Sequence, residues 1–232
     1  MAQPFSRRSL LHAGLILPLL ALPGCATRLG DLGFGLEDAI RRLLTLSSQR
    51  AFARLLTEEG YFRDDLVQVQ LPPQLGGNAV TAALAVALGT RAVQDRLLRL
   101  VNGAAREGAE AAAPVVYDSI RDLTVTDALR LARGGPTAAT DYLTRSIGDR
   151  IFGVMFPEVG QALNALDTGV VARVLGVTTG INFAGLQADV ARKASNGIWN
   201  AIGREEAAIR ADPGATGDPV LIGLLGLARR RG

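Results

Sequence analysis

The chain has 232 residues with 25 basic and 22 acidic side chains, one cysteine and one histidine. The histidine, His12, and the cysteine, Cys25, lie near the N-terminus. A body without them cannot assemble Ser-His-Asp or Cys-His nucleophile systems, zinc sites built on His or Cys, or the usual haem and iron–sulfur ligands. With seven Phe, three Tyr and one Trp, base-stacking platforms are improbable. We therefore expect no cofactor, no metal and no nucleic-acid partner.

Residues 1–24 have the pattern of an export signal. Arg7 and Arg8 precede an apolar stretch of about a dozen residues, which is typical of the basic and hydrophobic regions of such signals. The run Ser6-Arg-Arg-Ser-Leu-Leu11 fits the twin-arginine pattern, so we expect export in a folded state. An ordinary secretory signal that happens to carry two arginines is the alternative.

Cys25 ends this stretch as Leu22-Pro-Gly-Cys25, the arrangement in which a bacterial lipoprotein presents its thiol for lipidation. We expect a lipid-anchored protein on the periplasmic side of the cell envelope, at the outer membrane because Ala26 stands where aspartate signals inner-membrane retention. Pro23 is uncommon at its position, so a cleaved soluble chain and an uncleaved anchor remain alternatives. Removing residues 1–24 takes away two basic and no acidic side chains, which leaves the mature chain nearly neutral.

The rest of the chain reads as helical, because apolar residues recur at spacings of three and four rather than alternating. We predict one all-α, bundle-like domain of about seven to nine helices over residues 37–219, after a flexible tether at 25–36. An apolar C-terminal segment with an arginine tail follows at 220–232, and we expect it to pack back onto the bundle rather than to bind a membrane or partner. The individual predictions are helices over 36–59, 79–88, 92–112, 117–123, 137–155, 158–175 and 186–210, a helix opened by a capping box at 124–127, and an extended segment at 67–71.

Two prolines set boundaries in this prediction. Pro114 should break or kink the helix that precedes it, and a helix should end before Pro157, since proline lacks an N–H and its ring clashes with the preceding turn.

Four sequence blocks follow one another along the chain: Gly134-Gly-Pro-Thr-Ala-Ala-Thr-Asp-Tyr142, Phe156-Pro157, Gly197-Ile-Trp199 and Glu205-Glu-Ala-Ala-Ile-Arg-Ala-Asp-Pro213. In this order they resemble the bacterial family catalogued as domain of unknown function 4197. The resemblance covers about residues 36–219, and it implies a small exported or lipid-anchored helical protein with no established activity. The chain departs from the family's Asn-Arg-Ala-Ala-Glu motif, because the aligned stretch reads Arg106-Glu-Gly-Ala-Glu110 and Asn102 lies one helical turn too early.

The candidate polar site consists of Glu110, Asp127, Glu205, Glu206 and Arg210. Glu206 and Arg210 stand four residues apart on the last long helix, close enough to pair. Paired carboxylates can serve acid/base chemistry or hold a hard cation. An exposed helix ion pair with little energetic weight is the simpler interpretation, which we prefer.

These patterns favour a lipid-anchored envelope protein that works as a non-catalytic interaction or accessory module, with the membrane and an envelope protein as partners. Two alternatives stay open. A helical protein that binds an apolar ligand would need a continuous pocket around residues 79–88 and 109–113. A carboxylate-dependent hydrolase would need the candidate carboxylates to converge in one cleft.

Overall fold

A computed structural model describes residues 29–70, 90–124, 126, 128–165 and 183–229. These residues form six α-helices, one 3-10 helix and no strand, which confirms the all-α prediction. The predicted count of seven to nine helices is not confirmed within this part of the chain. The helices are α1 (Leu29–Leu55), α2 (Arg91–Arg121), α3 (Ala128–Ala132), α4 (Ala138–Ala165), α5 (Phe183–Ala211) and α6 (Pro219–Arg229), with the 3-10 helix at Pro213–Thr216.

Helix α5 lies at the centre and packs against α1, α2 and α4. Its inner face repeats apolar residues at helical spacing, and Val190, Ala194, Ile198 and Ile202 have no exposed surface. This is the face that the sequence predicts for the last long helix. The central position of α5 allows side chains on its other faces to reach several neighbouring elements.

Small residues allow α2 and α4 to approach closely. Gly108 on α2 lies against α4, and a Cβ there would come within 2.9 Å of Val159 and 3.2 Å of Met155. Ala105, Ala109 and Ala112 on the same helix are completely buried. Ala109, Ala112 and Ala113 are therefore packed into the core, whereas residues 79–88, the other part of the pocket that the ligand-binding alternative needs, lie outside the described residues.

Neither proline ends a helix, so the predicted end before Pro157 is wrong, and the break predicted as one of two outcomes at Pro114 does not occur. Helix α2 continues through Pro114 to Arg121, and α4 continues through Pro157 to Ala165. Apolar residues beyond each proline, such as Val116 and Val159, are fully buried. Their burial holds the helical face against the core and offsets the hydrogen bond that each proline removes.

The first helix also differs from its prediction. Helix α1 begins at Leu29 and ends at Leu55, so residues 29–35, predicted as part of a flexible tether, are helical. Within the segment predicted to be extended, residue 67 lies in a turn, residues 68–70 have no regular secondary structure, and residue 71 lies outside the described residues. The export signal with Arg7 and Arg8, the lipidation residue Cys25 and the segment 79–88 lie outside the described residues.

The C-terminal apolar segment packs onto the bundle, as predicted. Leu221 and Leu225 on α6 are buried in the core, where α6 contacts α1. An ion pair of 3.4 Å between Arg42 of α1 and Asp218, the residue before α6, adds to this contact. None of the described helices is long and apolar enough to cross a membrane.

Candidate functional site

Glu206 caps the N-terminus of helix α4 from the neighbouring helix α5. Its side chain is completely buried. One carboxylate oxygen accepts the backbone N–H of Ala139 at 3.0 Å, and the other accepts the N–H and hydroxyl of Thr140 at 2.7 and 2.6 Å. Because the first N–H groups of a helix have no intrahelical partner, this carboxylate satisfies donors that would otherwise be buried and unpaired.

Arg210 performs the complementary task at the C-terminus of helix α3. It donates from Nε to Glu206 at 2.7 Å, and its two other nitrogens donate to the carbonyls of Ala132 and Leu131 at 3.1 and 3.0 Å. Its side chain is only 10 % exposed. The negative group thus lies at the start of one helix and the positive group at the end of another, as the helix dipoles favour.

We call Glu206, Arg210 and the two helix ends they join the polar joint. The predicted pairing of Glu206 with Arg210 is confirmed, but the preferred interpretation as an exposed pair is wrong. The pair is buried because α3 and α4 pack over it. A spacing of four residues in the sequence does not indicate which element covers that face of the helix. The blocks at 134–142 and 205–213, which carry the family resemblance, meet at this joint.

The other candidate carboxylates are held elsewhere. Glu205 is buried and pairs with Arg54 of α1, whereas Glu110 is half exposed and faces Arg106 of its own helix at 3.5 Å. Asp127 lies outside the described residues. Since Glu206 is closed to solvent, it shares no open cleft with Glu110. Across the described part of the chain, no group of three or more His, Cys, Asp or Glu residues is placed to hold a metal ion.

Asn102 holds the stretch of chain around Val69 against the bundle, a role that the sequence does not predict. It is buried on α2; its Oδ1 accepts the N–H of Val69 at 2.8 Å, and its Nδ2 donates to the carbonyl of Val69 at 3.0 Å. Nδ2 also donates to the carbonyl of Leu98 at 2.7 Å. A lone amide on the otherwise apolar face of a helix is the sequence signal that marks it.

Residues 58–70, which we call the strap, run along one side of α5. The Tyr61 hydroxyl donates to the carbonyl of Ala194 at 3.1 Å, and burial raises the pKa of Tyr61. Asp64 accepts two hydrogen bonds from Arg204 at 3.0 and 2.5 Å. These bonds hold the pKa of Asp64 below its usual value.

The strap passes very close to α5 at one point. A Cβ at Gly197 would lie 2.9 Å from the Tyr61 ring and 3.2 Å from the carbonyl of Val67, so glycine there permits the close approach.

A groove runs along the outer face of α5. Helix α4 forms one wall, and the strap forms one end of the opposite wall. Two depressions of about 680 and 540 Å³ adjoin there, sharing Thr144, Asn196 and Trp199. We call this surface the α4–α5 groove. Its other lining residues are Leu66, Thr137, Thr140, Asp141, Arg145, Gly148, Asp149, Phe152, Arg192, Ser195, Asn200, Gly203 and Arg204.

The model of the family described as protein of unknown function (DUF4197) matches residues 34–226. No curated protein and no solved structure shows significant similarity to the chain. The matched range includes the polar joint, the strap and the α4–α5 groove.

Proposed function

The chain belongs to the DUF4197 family of proteins of unknown function, and we propose that it is a lipid-anchored accessory module of the cell envelope. In this proposal it binds a protein partner through the α4–α5 groove and performs no catalysis.

One observation carries the proposal. The polar residues that looked most suited to chemistry, Glu206 and Arg210, are buried and fully used in joining helix ends. The groove, in contrast, presents amides, hydroxyls and charges that are open to solvent. Buried, satisfied polar groups serve the fold, whereas exposed polar groups in a concave surface are suited to recognition.

The anchoring part of the proposal rests on residues near the N-terminus. Arg7 and Arg8 precede an apolar stretch that ends at Cys25, and a thiol in that position receives a diacylglycerol in bacterial lipoproteins. One lipid chain gives only marginal membrane binding, while two or more hold a protein stably. We therefore propose stable attachment to the periplasmic side of a membrane.

The experiment combines intact mass and copurification. The native protein, extracted gently from membranes, should show cleavage before Cys25, the added mass of acyl chains and a reproducible protein companion. The variant Cys25→Ser is the matched control and should carry no acyl mass and show no cleavage before residue 25. A wild-type protein that is unmodified like the variant would contradict the anchoring, and a lipidated protein without any companion would contradict the interaction role.

An apolar ligand is a second candidate, favoured by a separate depression of about 500 Å³ between α2 and α4. Its apolar walls consist of Leu100, Gly103, Ala104, Ala162 and Ala165, and four polar residues also line it: Arg99, Glu107, Glu158 and Gln161. A Cβ at Gly103 would meet no atom within 4 Å, so Gly103→Leu should fill the depression without disturbing the fold. If the native protein carries a lipid, that variant should lose it, whereas Gly153→Leu, at an equally open position on α4, should retain it.

A further inference from the structure

Four polar side chains form a regular row along the floor of the α4–α5 groove. Arg192, Asn196, Asn200 and Arg204 all line it and follow one another at intervals of four residues. With a rise of 1.5 Å per residue, neighbours in this row are separated by about 6 Å along the helix axis and its ends by about 18 Å, and each step turns about 40° around the helix. We call these four residues the α5 row.

The central members of the row are available for a ligand. Within the described part of the chain, Asn196 makes no hydrogen bond, and Asn200 makes a single long contact of 3.5 Å with the carbonyl of Leu66. Both are exposed. Since a side-chain amide offers a donor and an acceptor together, two such groups in line can pair with a polymer that presents both at a matching repeat.

An extended polypeptide has that repeat. Every second residue of an extended chain points its backbone N–H and C=O to the same side, with a repeat of about 6.6 Å. The α5 row repeats at about 6 Å, so Asn196 and Asn200 match two alternate residues of one peptide. Six extended residues cover the length of the row, about 20 Å.

The protein already holds one stretch of backbone with a side-chain amide. Asn102 on α2 accepts from the N–H of Val69 and donates to its C=O, which pairs both backbone groups of one residue with one amide. The same pairing by the exposed amides of α5 requires no new kind of contact.

Charge in the groove indicates what the peptide carries. Arg204 is neutralised by two bonds to Asp64, whereas Arg145 on α4 and Arg192 on α5 form no ion pair with the described residues. The Arg192 guanidinium lies 5.7 Å from the centre of the Phe152 ring, which holds it beside the groove. Asp149 lines the same end and Asp141 the other end. The excess of positive charge is therefore confined to the end with Arg145 and Arg192, where a carboxylate complements it.

We propose that the α4–α5 groove binds an extended peptide segment of a partner protein, with Asn196 and Asn200 pairing with its backbone and Arg145 and Arg192 binding an acidic side chain of it. This inference rests on the proposed function as an interaction module and names the chemistry of the partner.

Trp199 provides a direct signal for the test. It is the only tryptophan in the chain and lines both depressions of the groove, so its fluorescence reports binding there. The purified full chain is titrated with a pool of blocked hexapeptides that alternate valine and threonine and contain one glutamate. Two further pools are compared, one with lysine in place of glutamate and one with N-methylated backbone amides.

The glutamate pool should change the Trp199 fluorescence in a saturable way. The lysine and N-methylated pools should bind at least tenfold more weakly, as should the glutamate pool to Asn196→Ala, Asn200→Ala and Arg192→Ala. Asn164→Ala and Arg150→Ala, both exposed on α4 and outside the groove lining, should bind like wild type. Equal binding of the three pools, or no response up to 1 mM of the glutamate pool, would overturn the proposal.

Copurification tests the peptide-binding groove separately from the proposed role as an interaction module. A companion protein that is lost from the double variant Asn196→Ala/Asn200→Ala supports both. A companion that stays with this variant overturns the groove proposal and leaves the interaction module standing. A chain that binds the glutamate pool in solution yet has no companion in membranes supports the groove and contradicts the cellular role.

Discussion

Helix α5 carries two polar regions that differ in burial and in hydrogen bonding. At its C-terminal end Glu206 and Arg210 are buried, and each makes three or more hydrogen bonds to helix ends or to the other. Along its outer face Asn196 is exposed and has no hydrogen-bond partner among the described residues. The comparison separates polar groups that build the fold from polar groups that are available to a partner.

The two regions differ in the energetic consequence of losing a side chain. A buried charge that loses its partner is still desolvated, but no interaction compensates for this, so the free energy of unfolding falls. An exposed amide is solvated by water, so removing it changes that free energy little. Substitutions in the polar joint should therefore change stability, and substitutions in the α5 row should change binding while leaving stability nearly constant.

The largest expected effect is at Glu206. Glu206→Gln places an amide N–H₂ against either the Arg210 Nε–H or the N–H groups of α4, because every neighbour of this carboxylate is a donor. We expect the free energy of unfolding to fall by about 3–5 kcal/mol, measured by urea denaturation. Glu110→Gln, on an exposed carboxylate with one long contact, should change it by less than about 0.5 kcal/mol.

The double variant Glu206→Leu/Arg210→Met shows whether the ion pair or the hydrogen bonds to the helix ends stabilise the polar joint. Replacing a buried ion pair by apolar residues often leaves stability unchanged. Here the N–H groups of Ala139 and Thr140 and the carbonyls of Leu131 and Ala132 would lose their partners. The double variant should stay as unstable as Glu206→Gln, and recovery to wild-type stability would show that the charges matter only to each other.

A smaller effect is expected at Asn102. Asn102→Ala leaves the N–H and C=O of Val69 without their partner in a buried position, and each such group costs about 1–3 kcal/mol. We expect stability to fall by about 2 kcal/mol and the Val69 amide to exchange its hydrogen much faster. Asn196→Ala is the matched change in the groove, and a similar loss of stability there would erase the distinction between the two regions.

The sequence predicts the helical class, the buried face of α5 and the packing of the C-terminal segment, because all three follow from local apolar periodicity. It predicts that Glu206 can reach Arg210, since that too is local. It does not predict that α3 and α4 cover the pair, that α2 and α4 pass through Pro114 and Pro157, or that Asn102 reaches Val69. Each of these depends on contacts between residues far apart in the chain, whose energy outweighs the local preference.

The smallest effect is at the ion pair between the strap and α5, and its pH dependence has a definite sign. Arg204 holds the pKa of Asp64 below its usual value in the folded chain. The pair therefore contributes stability above the pKa of about 3.9 that aspartate has when unfolded, and the contribution disappears as the pH falls through the lower folded value. Asp64 and Arg204 are each partly exposed, so Asp64→Asn should lower stability at pH 7 by no more than about 1 kcal/mol. The difference from wild type should shrink as the pH falls below about 3.9 and vanish once the pH is below the lower folded value. Asp65→Asn, exposed next to it in the strap, is the matched control and should leave stability at pH 7 nearly unchanged. A difference that persists unchanged into acid would mean that Asp64 stabilises the strap through its shape and uncharged hydrogen bonds rather than through its charge. The strap would then be held as Asn102 holds Val69, by uncharged hydrogen bonds, and not by charge as in the polar joint.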